Sequence, residues 1–473
     1  MRLRAGACAL AIAWAVIAAP AFALNDGDLD PKFGGAGTGK MHAACGGFGF
    51  GTNSLRRGPN DGLTVAGGDL VTQATQNFDF ASALLSADGG VLGCQTFPFD
   101  LGGTNGDIAD AVAEQADGRR VLVGFVDGTV ADPETRVGLL GLQSTNALDL
   151  AFDGDGKKTI NFAGRAGAEV AATRISGDVF FAGFYDHEPG AAGTGWDCLI
   201  GKLQANGASD DTFDGDGLQF VGWDRGGTNV DVCLAIALRH DGHLVVGGYS
   251  DDATGSSDFA LAVVDSTGQL EPDFSGNGKL IIAWGLASGF HQDQIASVAV
   301  DAQGNVVAVG QVATSAGIEV GVVRVHPNGT FDTTFSGDGK LHFSIAPGAG
   351  DIESVDSVRI LPPPSNDIVI AGSYVPAAGA SVDGFVVLMH PDGTFDDDFA
   401  GDGKQGVDVA NTSGRTFLGA LEIQGGEIVV AGGFAAGDPL RDHYWVARLW
   451  RHDVFGDDFE SGDFRLWSNY ADP

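Results

Sequence analysis

Two groups of residues in this 473-residue chain have types and spacings that could do chemistry. The first is an acidic turn that recurs along the sequence. Asp153 with Asp155, and Asp214 with Asp216, set two carboxylates around glycines, and Asp338 and Asp402 hold the equivalent turn position. A hard cation such as Ca²⁺ takes about six to eight oxygens, so each turn offers part of a shell. The third acid and distal bidentate Glu of an EF-hand loop are missing, and the same residues suit Asx turns. Structural turns are the expectation, with calcium as a candidate ligand. The second group follows two strand-like runs: Tyr185, Asp186, His187 and Glu188, then Tyr249, Asp251 and Asp252. Carboxylates beside aromatics on loops suit a ligand face, or acid–base work on a polysaccharide. Tyr185, Tyr249 and Tyr374 each stand two residues after a strand-ending Gly, a shared position that points to packing between repeats.

Other motifs weaken on inspection. The stretch Gly34-Gly-Ala-Gly-Thr-Gly39-Lys40 has phosphate-loop spacing, but Met41 replaces the Ser or Thr that would hold Mg²⁺. The Gly-Lys ending recurs at Lys157, Lys279, Lys340 and Lys404, so it belongs to the repeat. Ser336-Gly-Asp338-Gly-Lys340 lacks the further Gly and aromatic of a sialidase-type Asp-box. His-Glu-x-x-His, Gly-x-Ser-x-Gly and Cys-x-x-Cys are absent, and His240 and His243 straddle a turn where exposure to solvent is expected. With 62 acidic against 26 basic residues, the net charge of −36 argues against a nucleic-acid partner, which needs clustered Lys and Arg.

The N-terminus reads as a signal peptide over residues 1–23. Arg2 and Arg4 precede an apolar run over residues 7–19, and Ala21-Phe22-Ala23 is a small-x-small cleavage site. The run is short for a membrane span, and none is expected in the mature chain. Cleavage would remove Cys8, one of five cysteines. Export favours disulfides among the rest. Sequence proximity favours Cys198 with Cys233 and Cys45 with Cys94, with free buried thiols as the alternative.

The elements that would position these residues are set by repetition. Phe-x-Gly-x-Gly anchors begin at Phe33, Phe152, Phe213, Phe274, Phe335 and Phe399, spaced by 119, 61, 61, 61 and 64 residues. The first gap predicts a degenerate copy around Cys94 to Phe97. Short β-branched runs ending at Gly67, Gly124, Gly183, Gly247, Gly310, Gly372 and Gly432 make the count seven. One unit holds four strand candidates, over residues 279–284, 295–300, 305–309 and 319–325. Most runs are apolar on both faces, as in Phe259-Ala-Leu-Ala-Val-Val264, which suits stacked sheets. The expectation is all-β: a seven-bladed β-propeller of four-stranded repeats over residues 24–455. The repeats fall at approximately 33–95, 96–151, 152–212, 213–273, 274–334, 335–398 and 399–455. A ring closed by exchanging an end strand would shift these boundaries. A solenoid and two β-sandwiches fit the period less well.

An acid, two residues, Phe-x-Gly-[Asp/Asn]-Gly, an apolar strand and a Val-Val-Ala-Gly strand in fixed order resemble the delta-60 repeat family of bacterial secreted proteins. The resemblance covers nearly the whole mature chain. It departs at Ala36, which replaces the acid, and near Cys94, where the glycines are lost. It implies a propeller-like repeat and carries no general biochemical activity. Residues 456–473, with Phe459-Glu-Ser-Gly-Asp463 and Trp467, resemble a tail of some exported proteobacterial proteins. The expected function is a secreted, extracellular or periplasmic, non-enzymatic binding or scaffold module. Its expected partner is an extracellular glycan or surface protein, and no cofactor other than candidate calcium is expected. The alternative is a polysaccharide hydrolase or lyase with carboxylates at the propeller mouth.

Overall fold

A computed structural model describes residues 27–34, 38–43, 50–72, 77–99, 101, 106–128, 134–187, 195–227, 229–287, 289, 291–345, 352–375, 382–407, 416–434, 444–449 and 451. The proposed signal peptide, the tail, Cys45 and Glu188 lie outside them. Apart from a 3-10 turn at Pro59–Asp61, the regular elements are strands. The first is β1 (Lys40–Ala43). Blade I is β2 (Phe50–Arg57), β3 (Leu63–Thr72), β4 (Asn77–Leu85) and β5 (Val91–Phe97). Blade II is β6 (Ile108–Glu114), β7 (Arg120–Val126), β8 (Arg136–Leu142) and β9 (Lys157–Ile160). Blade III is β10 (Ala166–Thr173), β11 (Val179–Asp186), β12 (Trp196–Leu203) and β13 (Leu218–Val221). Blade IV is β14 (Asp231–Leu238), β15 (Leu244–Asp251), β16 (Ser257–Val264) and β17 (Lys279–Ile282). Blade V is β18 (Gln294–Val300), β19 (Val306–Thr314), β20 (Gly317–Val325) and β21 (Lys340–Phe343). Blade VI is β22 (Ile352–Ile360), β23 (Ile368–Tyr374), β24 (Asp383–Met389) and β25 (Lys404–Val407). Blade VII combines β26 (Thr416–Gln424), β27 (Glu427–Phe434) and β28 (Tyr444–Leu449) with β1 as its outer strand.

The seven antiparallel four-stranded sheets form the expected seven-bladed β-propeller. Closure comes from β1, whose register runs from Lys40 opposite Ala447 to Ala43 opposite Tyr444. In each of blades II to VI, and in blade VII through β1, the outer strand follows the Phe anchor. A segment cut at the anchors therefore opens with the preceding blade's outer strand, one strand out of phase with the blades. Blade I has no such turn: Ser86 to Gly90 joins β4 directly to β5, and the degenerate anchor at Cys94 to Phe97 lies within that strand.

Apolar side chains on both faces are explained by the packing of blade on blade. All eight residues of β16 are buried. Val309, Val320 and Phe335 of blade V pack with Val355, Ile370 and Phe385 of blade VI. The closing contact sets Leu55, Val65 and Ala81 of blade I against Val429, Tyr444 and Val446 of blade VII. Each large apolar side chain so buried contributes about 1.5–3 kcal/mol.

The Phe-anchored turn fastens neighbouring blades. Phe152, Phe213, Phe274, Phe335 and Phe399 are almost fully buried. After the first four of these, the next residue donates its main-chain N–H to the following blade: Asp153 to Asn206 O at 2.8 Å, Asp214 to Thr267 O at 2.7 Å, Ser275 to Asn328 O and Ser336 to Asp392 O at 2.8 Å. Both turn glycines need positive φ, as at Gly154 (92°) and Gly156 (89°). The repeat lysine reaches the other way, from Lys279 Nζ to Gly222 O at 2.6 Å and from Lys340 Nζ to Ala283 O at 2.9 Å. That role accounts for the recurrent Gly-Lys without a phosphate.

Candidate functional site

Every innermost strand carries a β-bulge at the same place. Pairing skips Asn53, Asp110, Glu169, Leu234, Ala296, Asp356 and Gly419 in β2, β6, β10, β14, β18, β22 and β26. The residue just before each bulge faces a glycine of the next strand: in six blades the run-ending Gly67, Gly124, Gly183, Gly310, Gly372 or Gly432, and in blade IV Gly248, one residue past Gly247. A Cβ on Gly124, Gly248 or Gly310 would lie 2.0, 1.9 or 1.9 Å from the inner strand's carbonyl oxygen. Glycine therefore admits the bulge, and the bulge re-aims one residue per blade. All seven re-aimed residues line one central channel cavity of about 320 Å³.

The ring is polar on blades VI and I to III and apolar on IV and V. Asn53 Nδ2 donates to Asp110 Oδ1 and Ala109 O, both at 3.1 Å, while Asp110 Oδ2 is buried without a hydrogen bond. Desolvation holds the Asp110 carboxyl well above the usual range, and the charge of Glu169 on the next blade raises it further. Glu169 is also raised by desolvation. Both shifts favour the protonated carboxyl. Burial pushes Asp356 up to about 7, against the opposing hydrogen bond from Ser354 Oγ at 2.9 Å. These acids keep some accessible surface in the narrow channel although protein surrounds them. Tyr249 is pushed up to about 12 by burial, then by the charges of Asp251 and Glu169. Three residues deeper, Arg56 and Arg359 flank Glu422 at 4.0 and 3.7 Å. Desolvation first, then the charge of Arg359, lowers Arg56 to about 10.

The face residues singled out in sequence are distributed over blades III and IV. Tyr185 packs at a tilt against Phe162 of blade II at 4.8 Å and Phe220 at 5.3 Å between ring centroids, filling the space between blades. Asp186 is buried, and His187 Nδ1 lies 3.3 Å from Asp197 Oδ2. Asp251 accepts from Ser257 Oγ at 2.8 Å, and Asp252 accepts from the N–H groups of Thr254 and Ser256 in a turn. The Thr254 hydroxyl, then these amides, hold Asp252 below the usual carboxylate range. Of this group, Tyr249 feels the charge of one channel acid, Glu169. His240 is exposed as expected, whereas His243 is half-buried, with Asp241 at 3.0 Å and Glu271 at 2.7 Å.

In the acidic turns, Asp155, Asp216, Asp338 and Asp402 accept the main-chain N–H two residues on, at 2.9, 2.9, 2.9 and 3.1 Å. Asp153 pairs with Lys158 Nζ at 3.1 Å, and Asp214 accepts from Gln269 Nε2. Among the described residues, triads of potential ligands with atoms within 4.8 Å of one another occur elsewhere, at Asp258, His291 and Asp293 and at Asp367, His390 and Asp396. Cys198 and Cys233 form a disulfide with Cα atoms 5.0 Å apart, joining blades III and IV. Cys94 is also disulfide-bonded.

The channel ring is absent from the sequence-level candidates. A signal exists: Asn53, Asp110, Glu169, Leu234 and Ala296 each stand fourteen residues ahead of the glycine that faces the bulge. Alignment of repeats hides it, because the ring is where the repeats differ.

A family model described as a domain of unknown function (DUF5122) beta-propeller matches residues 240–274 and 304–335, within blades IV and V. No curated protein matches the chain. The solved polysaccharide lyase Uly1 is similar at a TM-score of 0.50, with 13% identity over 84% of this chain and 89% of that one. Virginiamycin B lyase from Staphylococcus aureus aligns at 0.45, with 9% identity over 86% and 98% of the two chains. A glucose dehydrogenase aligns at 0.39, with 15% identity over 73% and 98%. At such identity, the likeness to Uly1 is one of fold alone. No helix among the described residues is long and apolar enough to cross a membrane. The chain is a seven-bladed β-propeller repeat protein.

Proposed function

We propose that this chain is an exported propeller of the delta-60 repeat type that binds an extracellular glycan, or the glycan of a surface protein, at the channel ring. One observation carries the reading: the scaffold repeats and the ring does not. Phe anchors, turn glycines and bulge glycines recur from blade to blade, while the seven re-aimed positions hold six residue types. A polar arc of Asp356, Asn53, Asp110 and Glu169 facing Leu234 and Ala296 suits a sugar, which has hydroxyl edges and an apolar face. Export is supported by the N-terminal basic, apolar and Ala21-Phe22-Ala23 segments and by disulfides, which persist in oxidising compartments. The test is a glycan and surface-protein binding screen on the mature chain. Saturable binding lost in Asp110→Asn/Glu169→Gln supports the reading; binding unchanged in that variant rejects it.

The Asp110 and Glu169 pair favours a second reading, a polysaccharide hydrolase or lyase. A carboxyl whose pKa is raised by burial and a neighbouring carboxylate is the kind that serves as a general acid beside a carboxylate base. Turnover on a polysaccharide panel, abolished by Glu169→Gln, would establish it in place of simple binding.

A further inference from the structure

Away from the channel acids, another polar cluster sits between blades IV and V where their strands meet at the loop face. Parallel bridges join neighbouring blades at Phe78 with Gly106, Trp196 with Val230, and Ser257 with Gln292. Each sets an acid pair one residue later: Asp79 with Asp107, Asp197 with Asp231, and Asp258 with Asp293. The third seam differs by a histidine two residues before the second acid, His291, where the second seam has Asn229.

Asp258 and Asp293 are 3% and 1% exposed, and one ligand atom from each of Asp258, His291 and Asp293 lies within 4.8 Å of the others. Each residue is also held from outside the cluster. His291 Nδ1 is 3.0 Å from Gly289 O; a carbonyl only accepts, so in the neutral ring the proton sits on Nδ1 and Nε2 keeps its lone pair. Asp293 Oδ1 accepts the Ala313 N–H at 2.7 Å, and Asp258 Oδ2 accepts from Arg225 at 2.6 Å. The remaining oxygen of Asp258, Oδ1, is buried 3.5 Å from His291 Nε2, an ion pair when the ring is protonated; facing the neutral ring it has no hydrogen bond. A buried carboxylate oxygen left unsatisfied is costly, and a cation between it and Nε2 would remove that cost.

We propose that Asp258, His291 and Asp293 form a three-ligand site for a borderline divalent transition ion of the zinc type, with positions left open to solvent or ligand. One imidazole nitrogen and two carboxylates suit such an ion, whereas Ca²⁺ would need about six to eight oxygens. The His291 side chain is 19% exposed, which gives the ion a way in. The other triad serves as a comparison, because each oxygen of Asp367 has a hydrogen-bond partner, His390 Nδ1 at 3.2 Å and Arg451 at 3.1 Å, whereas Asp258 Oδ1 meets His291 only at ion-pair distance.

The test is calorimetric titration of the chelator-stripped, dialysed mature chain with Zn²⁺ alone, repeated for His291→Gln, Asp293→Asn and His390→Gln. Cobalt absorption follows the same four proteins. The expected result is one saturable Zn²⁺ per chain. It should weaken at least ~10-fold in His291→Gln, a loss that even an outer-shell partner can carry, and stay unchanged in His390→Gln. Because His291 is partly exposed, His291→Gln should melt like the wild type without metal, which separates ligation from folding even where Asp293→Asn fails to fold. No saturable binding, or equal affinity in a folded His291→Gln chain, overturns the site.

Discussion

At the scale of single residues, space at one atom decides what the channel can display. A Cβ on Gly310 would stand 1.9 Å from Gln294 O, so Gly310→Ala must push back the bulge that aims Ala296 inward. Overpacking of this kind costs about 1–3 kcal/mol, and urea denaturation should show at least that. Gly337→Ala meets no atom within 4 Å and bears only the penalty of its φ of 89°, about 1–2 kcal/mol. Asp356 gives a pH dependence of defined sign. Its folded pKa is raised to about 7, so between the ordinary carboxylate range and about 7 the folded chain keeps a proton that the unfolded chain releases. Stability contributed by the protonated form is therefore complete at low pH and falls as pH rises through that window. Asp356→Asn should flatten the fall, measured as urea midpoints at pH 5 and pH 8. The glycines were legible in sequence because they recur; the acids they aim were not, because a bulge is a pairing event and its residue varies.

At the scale of elements, the repeated turn and the inter-blade bonds set stability. Phe anchors and glycines made the strands countable, but the degenerate anchor expected near Cys94 is no turn: that segment is the outer strand β5 itself. Which blade takes the strand after each Phe was not legible, since only hydrogen bonding between strands fixes that. The Cys198–Cys233 bond closes a separation of 35 residues. In the chain-entropy model its loss costs about 4 kcal/mol, so Cys198→Ser/Cys233→Ser should lower the melting temperature clearly. In the acidic turns one oxygen of Asp155, Asp216, Asp338 and Asp402 is already committed to a main-chain amide. Added calcium is accordingly expected to leave the melting temperature unchanged; a rise that scales with calcium concentration would assign the turns a metal after all.

At the scale of the whole molecule, seven similar wedges close into a ring through β1, and Arg448 bonds Asp30 across the seam at 2.5 Å. Removing residues 24–43 should leave blade VII with three strands and uncover the cluster of Leu55, Val65 and Val446. A single cooperative unfolding transition is expected for the intact chain and its loss for the truncated one, by calorimetry. Closure is also what turns seven separately varied bulge positions into one site, a property of the ring that no single repeat contains. The most direct test is equilibrium binding of the ligand found by the glycan screen to three proteins: wild type, Asp110→Asn/Glu169→Gln, and the outer-turn variant Asp216→Asn/Asp338→Asn. Loss of binding in the channel variant with retention in the turn variant is expected; retention in the channel variant with loss in the turn variant would contradict a ligand site in the channel.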